Sequence, residues 1–379
     1  MRRPRLLLPL LGFAATPLAA QSGQFAARGL GIPAFETSTA AIGAGGAFGL
    51  FDTESALNPA ALARVGILTA SVHGVQDYRT STNAAGEGIG RSSRFSLLTI
   101  AGPLARGRYG LGLSIATYAS RDFALASQDT VVLRGVPVAY SDTFTSTGGV
   151  TDIRAAGAIR LGATRLGAAI HALPGSIRQE IRRTFEDTTY QEARQTAQTS
   201  YLGWGASVGA EHEFSRRLAV SAMLRVDGST TVIVDSVELA EFPLPLTVAG
   251  AVRARPADRL AVGAQVSYRT WGDANAQLQA VGAPGAANTL GVALGGEFAT
   301  RARTPAHLPL RFGVRYNDLP FLLEAGAQPH EVAASLGTGV RFARQRAGVD
   351  LSAERVWRSD GTGREDRSWQ LYLGASVRP

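Results

Sequence analysis

The chain has 379 residues, no cysteine, 44 glycines and a formal net charge of +8. The lack of cysteine excludes disulfide staples and any thiol or cysteine–metal chemistry. All 38 basic residues are arginine, scattered along the chain without interleaved aromatic clusters, so the charge points to no nucleic-acid partner.

Residues 1–20, MRRPRLLLPLLGFAATPLAA, set three arginines before a short apolar run closed by small residues. That pattern predicts a secretory signal peptide, cut before Gln21 and too short to span a bilayer as a helix. Residues 21–64 follow, rich in Gly, Ala and Phe and too weakly patterned for a strand. They contain GAGGAFGLFDTESALNPAALAR, in which Asn-Pro marks a turn.

From residue 65 onward the pattern is strict alternation. In YLGWGASVGAEHEF (201–214), Leu202, Trp204, Ala206, Val208, Ala210 and Phe214 share one parity, opposed to small or polar residues. Period two means strand, with one greasy face and one small or polar face. Such runs occupy 65–75, 91–101, 107–119, 151–161, 164–173, 200–213, 217–226, 245–254, 259–269, 289–299, 309–317, 333–342, 346–356 and 368–377. Most approach the 9–11 residues that a tilted strand needs to cross a bilayer, and the connections alternate between long and short.

The fold class expected is therefore all-β: an antiparallel transmembrane barrel of about 14 strands over residues 65–379, with short periplasmic turns and long external loops. Three details are left open or are specific enough to fail. Residues 120–150 form either an external hairpin or a further strand pair. Ile177, Ile181 and Phe185 are spaced by four, which suggests a short external helix. Trp204, Trp271, Trp357 and Trp369 are all expected at the outer interface, with Phe214, Phe298, Phe312 and Phe342 at the inner one.

The lumen of so wide a barrel exceeds what its own side chains fill, so residues 21–64 are expected to plug it. On the inward parity Glu297, Arg311, Arg315, Arg341, Asp350 and Glu354 form a charge ladder, with Arg154 and Arg160 likewise inward. An arginine fork also matches the carboxylate of an amphiphile, so Arg154 and Arg315, with Phe51 of the plug, are the candidate ligand contacts. The five histidines (His73, His171, His212, His307 and His330) show no metal-ligand spacing, and no Ser/His or Asp/His pair stands at a suggestive spacing. No enzyme activity, cofactor or metal is expected.

The GAGGAF and Asn-Pro-Ala stretches resemble the N-terminal hatch of FadL-type outer-membrane proteins. PLPLTVAGAVRARPADRLAVGAQVSYRTW (243–271) and HLPLRFGVRYNDLPF (307–321) are similar to later hairpins of that family. The resemblance implies a hatch whose gating positions are Gly45, Gly46, Phe48, Asn58, Pro59 and Ala60. It also implies passive uptake of hydrophobic or amphipathic molecules, such as long-chain fatty acids, by a monomer among outer-membrane lipids. Relatives with the same hatch serve protein secretion, so a barrel that binds protein partners is the alternative. A general diffusion porin comes third, because an open channel needs no plug.

Overall fold

The computed structural model describes residues 18–19, 23–84, 86–234, 237–300 and 308–379. Most of the expected signal peptide, and His307, lie outside the described residues. Fourteen antiparallel strands make the wall. They are β1 (Thr69–Asn83), β2 (Gly86–Leu104), β3 (Tyr109–Ser120), β4 (Val136–Leu161), β5 (Thr164–Phe185), β6 (Ala193–Ser215) and β7 (Leu218–Val234). The other half is β8 (Leu246–Ala257), β9 (Leu260–Arg269), β10 (Thr289–Ala299), β11 (Pro309–Asp318), β12 (His330–Phe342), β13 (Ala347–Ser359) and β14 (Glu365–Val377). β14 pairs with β1 from Glu365↔Thr82 to Val377↔Ala70, which closes the ring. Closure satisfies the backbone groups that an open sheet edge would strand in hydrocarbon. All fourteen strands expected from the alternation are present.

The two parities separate as the alternation requires. Leu111, Leu113, Ile115, Val208, Leu294, Val314, Leu336 and Leu371 are exposed outward, while Ser207, Arg315, Ser335 and Gln370 are buried inward. A continuous apolar outer band on a closed barrel is a lipid-facing surface, and the molecule is an outer-membrane-type barrel. Phe214, Phe298, Phe312 and Phe342 are exposed at the end with the short turns, and Trp204, Trp357 and Trp369 at the opposite end.

Two expectations need correction, and one open alternative is settled. Residues 174–185 are not a helix: they continue β5 outward, paired with β4 and β6 as far as Tyr140↔Phe185 and Arg183↔Ala193. A spacing of four also preserves strand parity, and the flanking strands supply the ladder that selects it. Residues 120–150 form an external hairpin whose second strand is the outer half of β4, with Phe123–Leu133 as its partner. Trp271 does not face lipid. It begins a short turn of helix and is buried in an apolar cap with Leu30, Tyr118, Leu173, Ile177 and Phe321. The wall therefore ends outside in an apolar roof that takes one residue, Leu30, from the N-terminal segment.

This register makes a sharp prediction. Arginine at Val208 or Leu371, both about half exposed to lipid, should cost about 2–4 kcal/mol at the bilayer midplane. Unfolding from lipid vesicles measures it, and tolerance at both sites would contradict the register. The inward neighbour Ser207 is no permissive control, because its hydroxyl lies 2.8 Å from His171 Nε2 in a packed interior.

Candidate functional site

Residues 23–65 lie against the inward faces of strands on every side of the ring. The segment begins with a turn of helix at Gln24–Ala26 and continues through α1 (Thr39–Gly43), capped by the Ser38 hydroxyl, which accepts from Ala41 N at 3.2 Å. A last helical turn spans Pro59–Arg64. Its N-cap is Asn58, whose Oδ1 accepts from Ala60 N at 3.0 Å, with Pro59 at the first helical position where its missing N–H costs nothing.

The glycine-rich run and Asn-Pro-Ala are two seats on nearly opposite walls. After α1 the chain reverses through Gly45 (φ 69°) and Gly46 (φ 87°), left-handed conformations that favour glycine. Gly45 N donates to Ser335 Oγ at 2.9 Å. Here the backbone of Gly43–Gly45 rests on wall glycines of β10, β11 and β12. A Cβ at Gly295 or Gly313 would overlap the Ala44 backbone, and one at Gly337 would meet Gly43 Cα at 2.8 Å. The Phe48 ring lies over Gly263 of β9, where a Cβ would meet its Cε1 at 2.6 Å. On the other side Asn58 sits over Gly209 and Pro59–Ala60 over Gly167. Asn58 Nδ2 donates to Leu50 O (3.1 Å) and Ser221 Oγ (2.7 Å). Glycine at these inward positions lets two backbones approach more closely than any side chain would permit.

Charge supplies the remaining ties. Arg225 of β7 bonds Glu36 of the segment at 3.0 Å, Asp152 at 2.8 Å and Asp227 at 2.8 Å. Arg154 donates to Ala56 O. Arg315 bonds Glu331 and Glu354 and stacks on Phe35 at 4.2 Å. Arg64 pairs with Glu211 and Glu213 at the end with the short turns. Breaking a buried pair of this kind typically costs 3–5 kcal/mol, because one charge is left uncompensated.

Sequence reasoning missed one cluster. His171 Nδ1 contacts Asp152 at 2.9 Å and its Nε2 contacts Ser207 Oγ at 2.8 Å, with all three side chains buried. The three residues lie on β4, β5 and β6 and are 19 and 36 positions apart, so only strand pairing reveals them. Arg225 occupies Asp152 from the other side. None of the three lines the lumen cavities, so the group ties the wall together.

The wall parts between β2 and β3. β2 and β3 pair from Leu104↔Tyr109 up to Leu97↔Ala116 and no further. A bulge at Ser96 falls at that point, since His73 faces Leu97 and Gly74 faces Phe95. Above it the β3 edge pairs instead with the segment, Ile32↔Ser120 and Pro33↔Ala119. Thr117 Oγ1, donating to Phe95 O at 3.2 Å, bridges the two edges.

Two small cavities lie inside. One of about 50 Å³ adjoins the parting and is lined by Ile32, Phe35, Ile42, Arg94, Thr117 and Tyr372. The other, about 70 Å³, is lined by Leu50, Leu57, Met223 and Arg269. Arg315 and Phe35 line both. A wetter recess of about 250 Å³ lies among Phe48, Phe51, Glu54, Arg253, Arg311 and Arg341. Of the three candidate ligand contacts, Arg315 thus borders both inner cavities, Phe51 the recess under the Arg253 guanidinium, and Arg154 neither inner cavity. Both inner cavities fall short of the ~150 Å³ that admits benzene.

Glu54 gives the segment a pH dependence. Burial, reinforced by Asp52, pushes its carboxyl up from 4.5 to about 7; Arg341 and Arg378 oppose the rise and Asp350 adds to it. His73 Nε2 lies 3.9 Å from it. The docked carboxyl binds a proton more tightly than a solvated one, so docking is strongest in acid and weakens as pH rises through about 7. Amide protection over residues 38–56, taken relative to the intrinsic exchange rate at each pH, should therefore rise between pH 8 and pH 5. Glu54→Gln should reduce that dependence, leaving the part due to Glu36, whose buried carboxyl is likewise raised to about 7. An unchanged slope in the variant would assign the effect elsewhere.

Solved structures share this architecture. The FadL homologue of Pseudomonas aeruginosa superposes with a TM-score of 0.62 at 13% identity, over 92% of this chain and 99% of that one. The Ralstonia pickettii toluene transporter TbuX gives 0.60 at 11% identity, over 91% and 99%. The P. putida toluene transporter TodX gives 0.54 at 12% identity, over 85% and 92%. No curated protein matches the chain by sequence. The fold is thus FadL-like, with the glycine-seated segment inside, and the BamG family profile matches residues 5–242, more than half of the chain: the protein belongs to the BamG family.

Proposed function

We propose that the barrel passes small hydrophobic or amphipathic molecules inward across the outer membrane, with residues 21–64 as its movable hatch. In this reading residues 1–20 direct export and are removed. The observation that carries the proposal is the parting between β2 and β3. It is the place where the segment completes the wall, and an inner cavity lies directly behind it. Withdrawal of Ile32–Pro33 from β3 opens a lateral path from the lipid side, where hydrophobic molecules concentrate. The toluene transporters TbuX and TodX share the fold, which supports this ligand class. Within the lumen Arg315, beside Phe35, lines the path between the two inner cavities, and it meets the carboxylate of a fatty acid only by exchanging it for Glu331 or Glu354, which hold it in the closed state. Arg154 acts as a strut under Ala56.

The test uses the cysteine-free background. Ile32 and Ser120 are paired Cα partners, at a separation that antiparallel strands share with disulfides. The Ile32→Cys/Ser120→Cys variant in vesicles should take up toluene when reduced and lose that uptake when oxidised. Equal uptake in both states would reject the lateral path. A second reading has its own support: the cavities are too small for a ligand and the segment is tied at many points, as suits a barrel that binds protein partners and transports nothing. Absence of uptake in the reduced variant, with the parent also inactive, favours that reading.

A further inference from the structure

We propose that the outward face of β8–β14, β1 and β2 carries a binding site for a phosphorylated, multiply acylated glycolipid of the outer leaflet. This goes beyond transport and does not depend on it. The observation is a single cross-strand row at the outer girdle. Arg355 of β13 pairs with Trp369 of β14, Trp369 with Tyr78 of β1, and Tyr78 with Arg91 of β2. All four point away from the lumen, and Trp369 and Tyr78 are about half exposed.

Each arginine lies over a ring. The Arg355 guanidinium is 5.3 Å from the Trp369 centroid and 5.7 Å from that of Trp357, and Arg91 is 5.6 Å from that of Tyr78. Neither arginine has a carboxylate partner among the described residues. Arg367, one step further out, has only the rim residue Glu365, at 2.8 Å. Arginine on a lipid-facing parity is costly unless it reaches the interface or an anion. Two such arginines, held by aromatic rings and lacking an anion, match phosphate, which a guanidinium fork binds through paired hydrogen bonds.

The same row continues downward as an apolar groove. Arg355 pairs with Ala334, Ala334 with Val314, Val314 with Leu294, Leu294 with Ala264 and Ala264 with Val252. Strand tilt carries this line obliquely into the membrane. Small residues (Ala264, Ala334 and Ala353) form its floor, and Leu294, Leu336 and Phe312 its banks. Together they make an open concavity of about 800 Å³ that ends at Arg355 and Trp369. A phosphate at the arginines thus places acyl chains in the groove. The basic end lies on the side of the long loops, which selects the outer leaflet and its phosphorylated glycolipid over an inner-leaflet phospholipid.

Native mass spectrometry of the full chain, with diphosphoryl lipid A as probe, tests the site. Dephosphorylated lipid A and phosphatidylglycerol are the comparison arms. The parent should retain one lipid A, and Arg91→Gln/Arg355→Gln should weaken retention about tenfold or more, the loss of a charge-assisted contact. Ala264→Leu/Ala334→Leu, which fills the groove and leaves the arginines in place, should also weaken it. Arg91→Gln alone, on the exposed rim, guards against misfolding of the double variants and should show a partial loss. Unchanged retention in both double variants, or equal retention of dephosphorylated lipid A or phosphatidylglycerol, would overturn the proposal.

Discussion

Removal of residues 23–56 is expected to convert a closed barrel into an aqueous pore without unfolding it. The wall closes through β14 and β1, and among the described residues the segment contributes to its ladder at Ile32 and Pro33 alone. The arginines that the segment engages are not stranded by its loss. Arg225 keeps Asp152 and Asp227, and Arg154 becomes hydrated as water enters. The turn at Asn58–Arg64, seated on Gly167 and Gly209, stays as a lead-in to β1. Fourteen strands enclose more space than their own side chains fill, so single-channel conductance should rise by on the order of tenfold and polar antibiotics should enter. A folded deletion variant as closed as the parent would show that the loops and lumen side chains seal the barrel by themselves. The segment would then serve another purpose, such as docking a partner.

The wall was legible in the sequence because lipid on one side and a polar lumen on the other enforce a strict period of two. What lies beyond the bilayer was less so. At β5, Ile177, Ile181 and Phe185 fit a helix as well as a strand, and only pairing with β4 and β6 separates the two. Trp271 fits an interfacial girdle by its position in the chain, yet the loop folds back and buries it under Phe321. The Ser207–His171–Asp152 cluster left no trace, because its members come from three strands and meet only through register. The seats of the segment were half visible. GAGG and Asn-Pro-Ala stood out in the N-terminal part, whereas the counterparts of GAGG, Gly295, Gly313 and Gly337, sit in ALGGEF, RFGVRY and SLGTGV, where a glycine signals nothing in particular.

Those wall glycines make the strongest single-residue test. Valine at position 313 suits a strand, and on an empty inward face it would be harmless. Here its Cβ overlaps the backbone of Ala44 and Gly45, atoms that cannot rotate away as a flexible side chain could. The barrel is fixed by ladders on both sides of β11, from Gly291↔Asn317 and Asp318↔His330 onward, whereas residues 43–45 are tied to this wall by the hydrogen bonds of Ser335 with Gly45 N and Gly43 O. The clash should therefore be relieved by release of residues 39–48 from β10–β12, with a folded barrel and a leak approaching that of the deletion. Gly250→Val, on the lipid-facing parity of β8 with Val248 and Val252, controls for the loss of a strand glycine as such. A Cβ there would meet nothing closer than Ser221 O at 3.9 Å, and the variant should leave conductance unchanged. If both variants leak alike, loss of glycine weakens the wall in general. If Gly313→Val folds and stays closed, the close approach of the two backbones does not hold the segment in place. If only Gly313→Val leaks, the glycine-rich run is what seats the stopper, and transport is set by how readily Gly43–Gly45 lift from that wall.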